Sequence, residues 1–159
     1  MANKIIFDAL PTPAVIMAAD AADVLLSLEV GGIAVSSEVA NGVAANNTMA
    51  SFQLYIGKFA AAPTAGGYFE CHIVYKMDDT LFTDGETGDV ADPNLSAATM
   101  VGIFPIFAAD EPQLIALNHV PLQPFDFKVC IVNKTSQALG DGNPDTSTLT
   151  IFPYSLEVQ

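Results

Sequence analysis

The sequence contains no arginine and no tryptophan, and its basic side chains are five scattered lysines. A nucleic-acid-binding protein needs a concentrated basic surface to displace the counterions of the phosphates. This 159-residue chain instead has a formal net charge of −13. The charge balance therefore argues against DNA, RNA or an anionic membrane surface as a partner, and mutual repulsion keeps separate copies soluble.

Charged residues are also scarce as a class, since they make up 14% of the chain against 51% hydrophobic residues. Soluble domains average roughly a quarter charged residues. The deficit indicates either apolar surface that is buried against partners or simply a high alanine content, and both readings stay open. No apolar run approaches the ~20 residues of a membrane span, and the first residues do not resemble a signal peptide. We expect synthesis in a cytoplasm.

The residues that usually carry chemistry are few and poorly placed for it. Two cysteines make no disulfide framework, and alternation places Cys71 and Cys130 on faces that do not meet across one core, so a disulfide is not implied. Neither of the two histidines has a second ligand at metal spacing. No nucleophile elbow or phosphate-binding loop occurs. We predict a non-enzymatic protein with no catalytic residue, no metal and no cofactor.

The clearest pattern is a period of two in residues 66–76 and 125–134, where β-branched and aromatic residues alternate with polar ones. About eight such segments, including residues 23–30, follow one another at fairly regular spacing, with turn residues between them and no convincing amphipathic helix. Pro105 places its segment at a sheet edge or a bulge. The pattern predicts an all-β, antiparallel, jelly-roll-like sandwich of about eight strands.

Residues 1–23 hold two short apolar stretches separated by Pro11 and Pro13, which exclude a continuous helix. We predict an extended N-terminal arm over residues 1–23 and a single β-sandwich domain over residues 24–159. The arm either packs on its own domain or adds to the sheet edge of a neighbouring copy. Its apolar residues are candidate interaction residues, namely Ile5, Ile6, Phe7 and Leu10.

A long acidic loop over residues 77–93 follows the first of the two alternating segments. Clustered carboxylates are suitable calcium ligands, but their spacing departs from the EF-hand loop. A solvated loop is the default, and a calcium-assisted carbohydrate-binding module is kept as an alternative. Because long loops on rigid sandwiches often carry contacts, four of its residues are candidate interaction residues: Asp78, Asp79, Phe82 and Asp84.

Several phrases together resemble small β-sandwich virion proteins of tailed bacteriophages, some of which decorate or cement the head. The resemblance covers roughly residues 65–155, and the phrases that carry it are residues 67–70, 79–85, 92–93, 121–129, 133–139 and 148–154. It implies a structural protein on the capsid surface, bound to the major capsid protein and to copies of itself as a homotrimer. The alternative within this class is a tail or baseplate component.

Overall fold

The computed structural model describes residues 5–7, 13–17, 25, 28–42, 46–78, 81–83, 95, 97–109, 111–140 and 147–158, with the backbone alone for 5–7 and 156–158. This part of the chain contains ten strands and no helix. The strands are β1 (Ile5–Phe7), β2 (Ala14–Met17), β3 (Ile33–Val35), β4 (Met49–Ile56), β5 (Tyr68–Tyr75), β6 (Met100–Pro105), β7 (Gln113–Pro121), β8 (Phe127–Asn133), β9 (Thr148–Tyr154) and β10 (Leu156–Val158).

Eight of these strands form two four-stranded antiparallel sheets. The first sheet has the order β2-β9-β4-β7 and the second has the order β3-β8-β5-β6, while β1 and β10 pair separately. Each sheet interleaves strands from the two halves of the chain, which is the arrangement of an eight-stranded jelly roll. The predicted all-β jelly-roll-like sandwich is therefore confirmed.

The main core lies between the two sheets and follows the alternation seen in the sequence. In β4 the side chains of Phe52, Leu54 and Ile56 are fully buried, while the intervening ones are half-buried. Alternate side chains of a strand point to opposite faces, so one side of β4 faces the core. The inward residues of β5 follow the period of two found in residues 66–76, and they are Phe69, Cys71, Ile73 and Tyr75.

A second, smaller cluster covers the outer face of the second sheet. Phe82 and Leu95, from the connection between β5 and β6, pack there against outward residues that include Val74 and Cys130. Cys71 belongs to the main core instead, so the two cysteines lie on opposite faces of the sheet as alternation predicted, and neither forms a disulfide. Burial raises the pKa of the Cys71 thiol well above its ordinary value, which keeps it protonated.

The predicted strand at residues 23–30 is wrong where the chain is described. Leu28 and Glu29 are irregular, and Val30 begins a turn in which Gly31 has a φ of 77° and the Gly32 N–H donates to the Glu29 carbonyl at 2.9 Å. Leu28 is nevertheless buried, with only 6% of its surface exposed. The alternating leucines of this segment therefore reflect burial within a loop. The next strand, β3, begins at Ile33.

Three of the four edge strands of the sandwich are irregular. Compared with its neighbour, β2 has one extra residue at Ile16, β6 has one at Val101, and β7 has one at Asn118–His119. His119 takes a φ of 59° at this point, which is consistent with a bulge. The placement of Pro105 at an edge is confirmed, because Pro105 ends the edge strand β6.

Two strands fall within the predicted N-terminal arm. β2 pairs with β9 at the edge of the first sheet, and β1 pairs with β10 so that Ile5 lies opposite Val158. Both strands therefore pair with the C-terminal part of the same chain. The predicted boundary between residues 23 and 24 lies outside the described residues.

Candidate interaction surfaces

Two of the residues predicted from the acidic loop, Asp78 and Phe82, are described, and they differ in exposure. Asp78 is exposed, and its Oδ1 accepts the N–H of Leu81 at 2.7 Å, which caps a turn. Phe82 is 6% exposed, and the Nζ of Lys128 lies 4.8 Å from its ring centroid. The Phe82 ring is thus used in the protein's own packing.

The other predicted interaction residues cannot be placed in the same detail. Asp79, Asp84 and Leu10 lie outside the described residues, and for Ile5, Ile6 and Phe7 the description covers the backbone alone. Within the described ranges, no group of three His, Cys, Asp or Glu side chains is arranged to hold a metal ion. Over the same ranges, no helix is long and apolar enough to cross a membrane.

The outer face of the first sheet has no charge. None of the residues in β2, β4, β7 and β9 is Asp, Glu, Lys or Arg. Cross-strand register places Gln53 of β4 beside Thr150 of β9, and Thr150 beside Val15 of β2. We call this surface the open face; its principal residues are Val15, Gln53, Tyr55, Leu114, Thr150 and Phe152.

The open face combines apolar and neutral polar side chains. Val15 is 58% exposed and Leu114 is 62% exposed. A shallow depression of about 270 Å³ lies near its centre, lined by residues that include Gln53, Asn118 and Phe152. The surface therefore offers amide groups and aromatic carbon side by side, without an ionised group.

The charged residues that the structure describes in ion pairs lie around the second sheet. The Lys76 Nζ is 3.1 Å from the Glu38 carboxylate, and Glu70 lies 3.7 Å from the Lys134 Nζ and 3.5 Å from the His72 Nε2. The two lysine pairs are partly exposed, so each contributes little to stability. They do show that the two outer faces of the sandwich differ in electrostatic character.

Sequence reasoning missed a second candidate surface, at Phe107. The ring of Phe107 is 72% exposed, yet its backbone is held on both sides by one side chain. The Oε1 of the buried Gln113 accepts the Phe107 N–H at 2.8 Å, and its Nε2 donates to the carbonyls of Phe107 at 3.1 Å and Ala109 at 3.2 Å. The aromatic ring is therefore presented from a fixed loop.

At the opposite connection, Asp126 fixes a turn. Its Oδ1 accepts the N–H groups of Gly42 at 2.7 Å and Asn41 at 2.8 Å. These two hydrogen bonds, with the nearby charge of Lys76 as a smaller cause, lower the pKa of the Asp126 carboxyl. The carboxylate acts as a structural acceptor beside a groove of about 340 Å³.

The Asp126→Asn variant is expected to change the acid sensitivity of folding. A lowered folded-state pKa adds stability that is present above the unfolded value of about 3.9 and is lost as the pH falls through the folded-state pKa. We expect wild type to be the more stable protein at pH 7, with the difference shrinking as the pH falls past the unfolded value and vanishing once the pH is below the lowered folded-state pKa. Urea unfolding across this range measures it. A difference that stays constant with pH would show that the carboxylate charge does not stabilise the turn.

No protein-family model matches this chain, and no curated protein is significantly similar to it.

Proposed function

We propose that this protein is a non-enzymatic virion structural protein that decorates or cements a bacteriophage capsid through protein–protein contacts. The observation that carries the proposal is the open face, a four-stranded surface without charge in a chain of net charge −13. The jelly-roll fold is compatible with this role, since viral capsid domains use it. Lectins and cupins use it too, so the argument depends on the surface and not on the fold.

The chemistry of the open face supports a protein partner. The centres of protein interfaces are depleted in charged residues and enriched in aromatic side chains and methionine. Tyr55 and Phe152 lie on this face beside Gln53 and Thr150, a mixture of apolar and neutral polar groups that suits a non-obligate contact. His119 of β7 has a structural partner, since its Nδ1 lies 2.6 Å from the Tyr154 hydroxyl.

Localisation on particles tests the proposal directly. Virions produced from the genome that encodes this chain are purified, the chain is quantified by mass spectrometry, and its position is determined by immunogold electron microscopy. Labelling of the capsid at a fixed copy number is expected. Labelling confined to the tail or baseplate would favour that alternative, and absence from purified particles would overturn the proposal.

Phe107 is the residue we expect to contact the particle most strongly. Rigidly held aromatic side chains often dominate interfaces, and their truncation commonly costs 2 kcal/mol or more, so Phe107→Ser should lower occupancy on particles by at least about tenfold. Occupancy is measured by rebinding the purified chain to particles that lack it.

Phe125→Ser is the matched control, because Phe125 is also exposed, at 40%, but lies in the β7–β8 connection. It should bind as wild type does. Equal occupancy for Phe107→Ser and wild type would remove Phe107 from the contact.

A further inference from the structure

The chain covers the outer face of the second sheet and leaves apolar side chains exposed on the outer face of the first sheet. Phe82 and Leu95 cover the second sheet, whereas the open face retains exposed Val15 and Leu114 and no described segment lies across it. We propose that the open face binds the open face of a second copy of this protein, so that two sandwiches stack sheet against sheet. This pairing goes beyond the proposed capsid role: it uses the open face for the contact between copies and leaves the Phe107 loop for the particle, so it does not depend on that role.

The charge distribution of the chain indicates a second copy of this protein, and not a basic partner, as the molecule that covers the open face. Each copy carries a net charge of −13, so two copies repel each other wherever their acidic surfaces approach. A basic partner would be attracted to the acidic surfaces and would gain nothing from a neutral sheet. The open face is the surface on which two copies come into contact without bringing carboxylates together, because none of its four strands contains an acidic residue.

The sheet edges favour stacking over lateral strand pairing. An extra residue interrupts β2, β6 and β7, and bulges of this kind prevent an edge strand from extending the sheet of another molecule. Since both edge strands of the first sheet, β2 and β7, are interrupted in this way, packing of one sheet on another, at a separation of about 10 Å, is the remaining regular arrangement for that sheet. Tyr55, Phe152 and Leu114 supply the apolar area for it, and the neutral side chains of Gln53 and Thr150 lie at its centre.

A contact between two identical patches closes on itself as a two-fold pair. The open face therefore predicts a dimer in solution, whereas the trimer expected from the phage resemblance requires a different contact. Sedimentation equilibrium of the full chain distinguishes these states. We expect a dimer with a Kd of about 1–10 μM.

The dependence of the dimer Kd on salt concentration can be measured on the wild-type protein alone. Because the pair is held by neutral groups and opposed by net charge, added salt should screen the repulsion and tighten association. We expect the dimer Kd to fall severalfold between about 20 mM and about 500 mM NaCl. Weaker association at high salt would indicate a charge-driven contact and would overturn the proposal.

A double substitution at the centre of the face tests the surface itself. Gln53→Glu with Thr150→Glu places four carboxylates within one pair, and we expect the dimer Kd to rise at least about 100-fold. The matched control is Gln123→Glu with Thr64→Glu, which makes the same chemical changes at exposed loop positions and should leave the Kd within about twofold of wild type. Circular dichroism checks that both variants fold.

Three results would overturn the pairing. They are a wild-type chain that stays monomeric at about 100 μM, a trimer as the stable species, and an oligomer that the Gln53→Glu, Thr150→Glu protein retains at unchanged affinity. None of them bears on whether the chain is present on capsids. Failure of the pairing and failure of the proposed function are therefore separate outcomes.

Discussion

Replacing Phe127 with alanine is expected to lower the free energy of unfolding by about 3–5 kcal/mol. Phe127 is fully buried in the interior strand β8, and its ring meets that of Tyr75 edge to face, with 6.0 Å between the centroids. Its backbone is also fixed by two hydrogen bonds with Val39, at 2.7 and 3.0 Å. Since hydrogen bonds hold the surrounding strands in place, the cavity left by the ring stays open. The variant then loses the transfer free energy of the ring and also the free energy of the cavity.

Urea denaturation monitored by circular dichroism measures this loss, and Phe107→Ala is its control. Both changes remove a phenylalanine ring, but the ring of Phe107 is 72% exposed. We expect that variant to unfold within about 0.5 kcal/mol of wild type. A loss below about 1 kcal/mol for Phe127→Ala would contradict its placement in a close-packed core.

Asn133→Leu is expected to destabilise the fold by about 3 kcal/mol, although it replaces one side chain by another of similar size. The buried amide donates to the carbonyls of Leu28 and Gln137, both at 3.0 Å, and its oxygen accepts the N–H of Thr135 at 2.9 Å. Leucine removes these three hydrogen bonds. The Leu28 and Gln137 carbonyls each keep a second donor, the Leu139 N–H at 3.1 Å and the Thr135 Oγ1 at 2.7 Å. Most of the loss therefore comes from the buried Thr135 N–H, and a buried polar group left unpaired costs about 1–3 kcal/mol.

The same change at Asn118 is the control for Asn133→Leu, because Asn118 is exposed on β7 and should tolerate leucine within about 0.5 kcal/mol. Unfolding is best followed at a protein concentration well below the expected dimer Kd, because Asn118 lies on the open face and a change in association would otherwise alter the comparison. Equal midpoints for the two variants would mean that solvent or nearby groups replace the Asn133 hydrogen bonds.

The strands that carry the core were predictable from the sequence, because alternation in β4, β5 and β8 runs over seven or eight residues and matches the strand period of two. The prediction for residues 23–30 was wrong for a physical reason, since Leu28 is buried from an irregular segment before the turn and not from a strand. Local patterns report burial, and they do not report which element provides it.

The candidate surfaces were harder to predict because they depend on contacts between distant residues. Phe82 is apolar in an acidic loop, and only the second sheet beneath it shows that it is covered. The exposure of Phe107 is set by the hydrogen bonds of Gln113. The neutrality of the open face appears only when β2, β4, β7 and β9 are placed side by side, which the strand order determines.

The position of β9 within the first sheet has a consequence for how the protein is made. β9 lies between β2 and β4, yet it follows β2 by more than a hundred residues. Pairing between such distant segments is slow, because a long loop must close before any contact forms. During synthesis, β2 and β4 lack their common neighbour until β9 has left the exit tunnel, so this sheet cannot be completed while only the first half of these 159 residues is outside the ribosome.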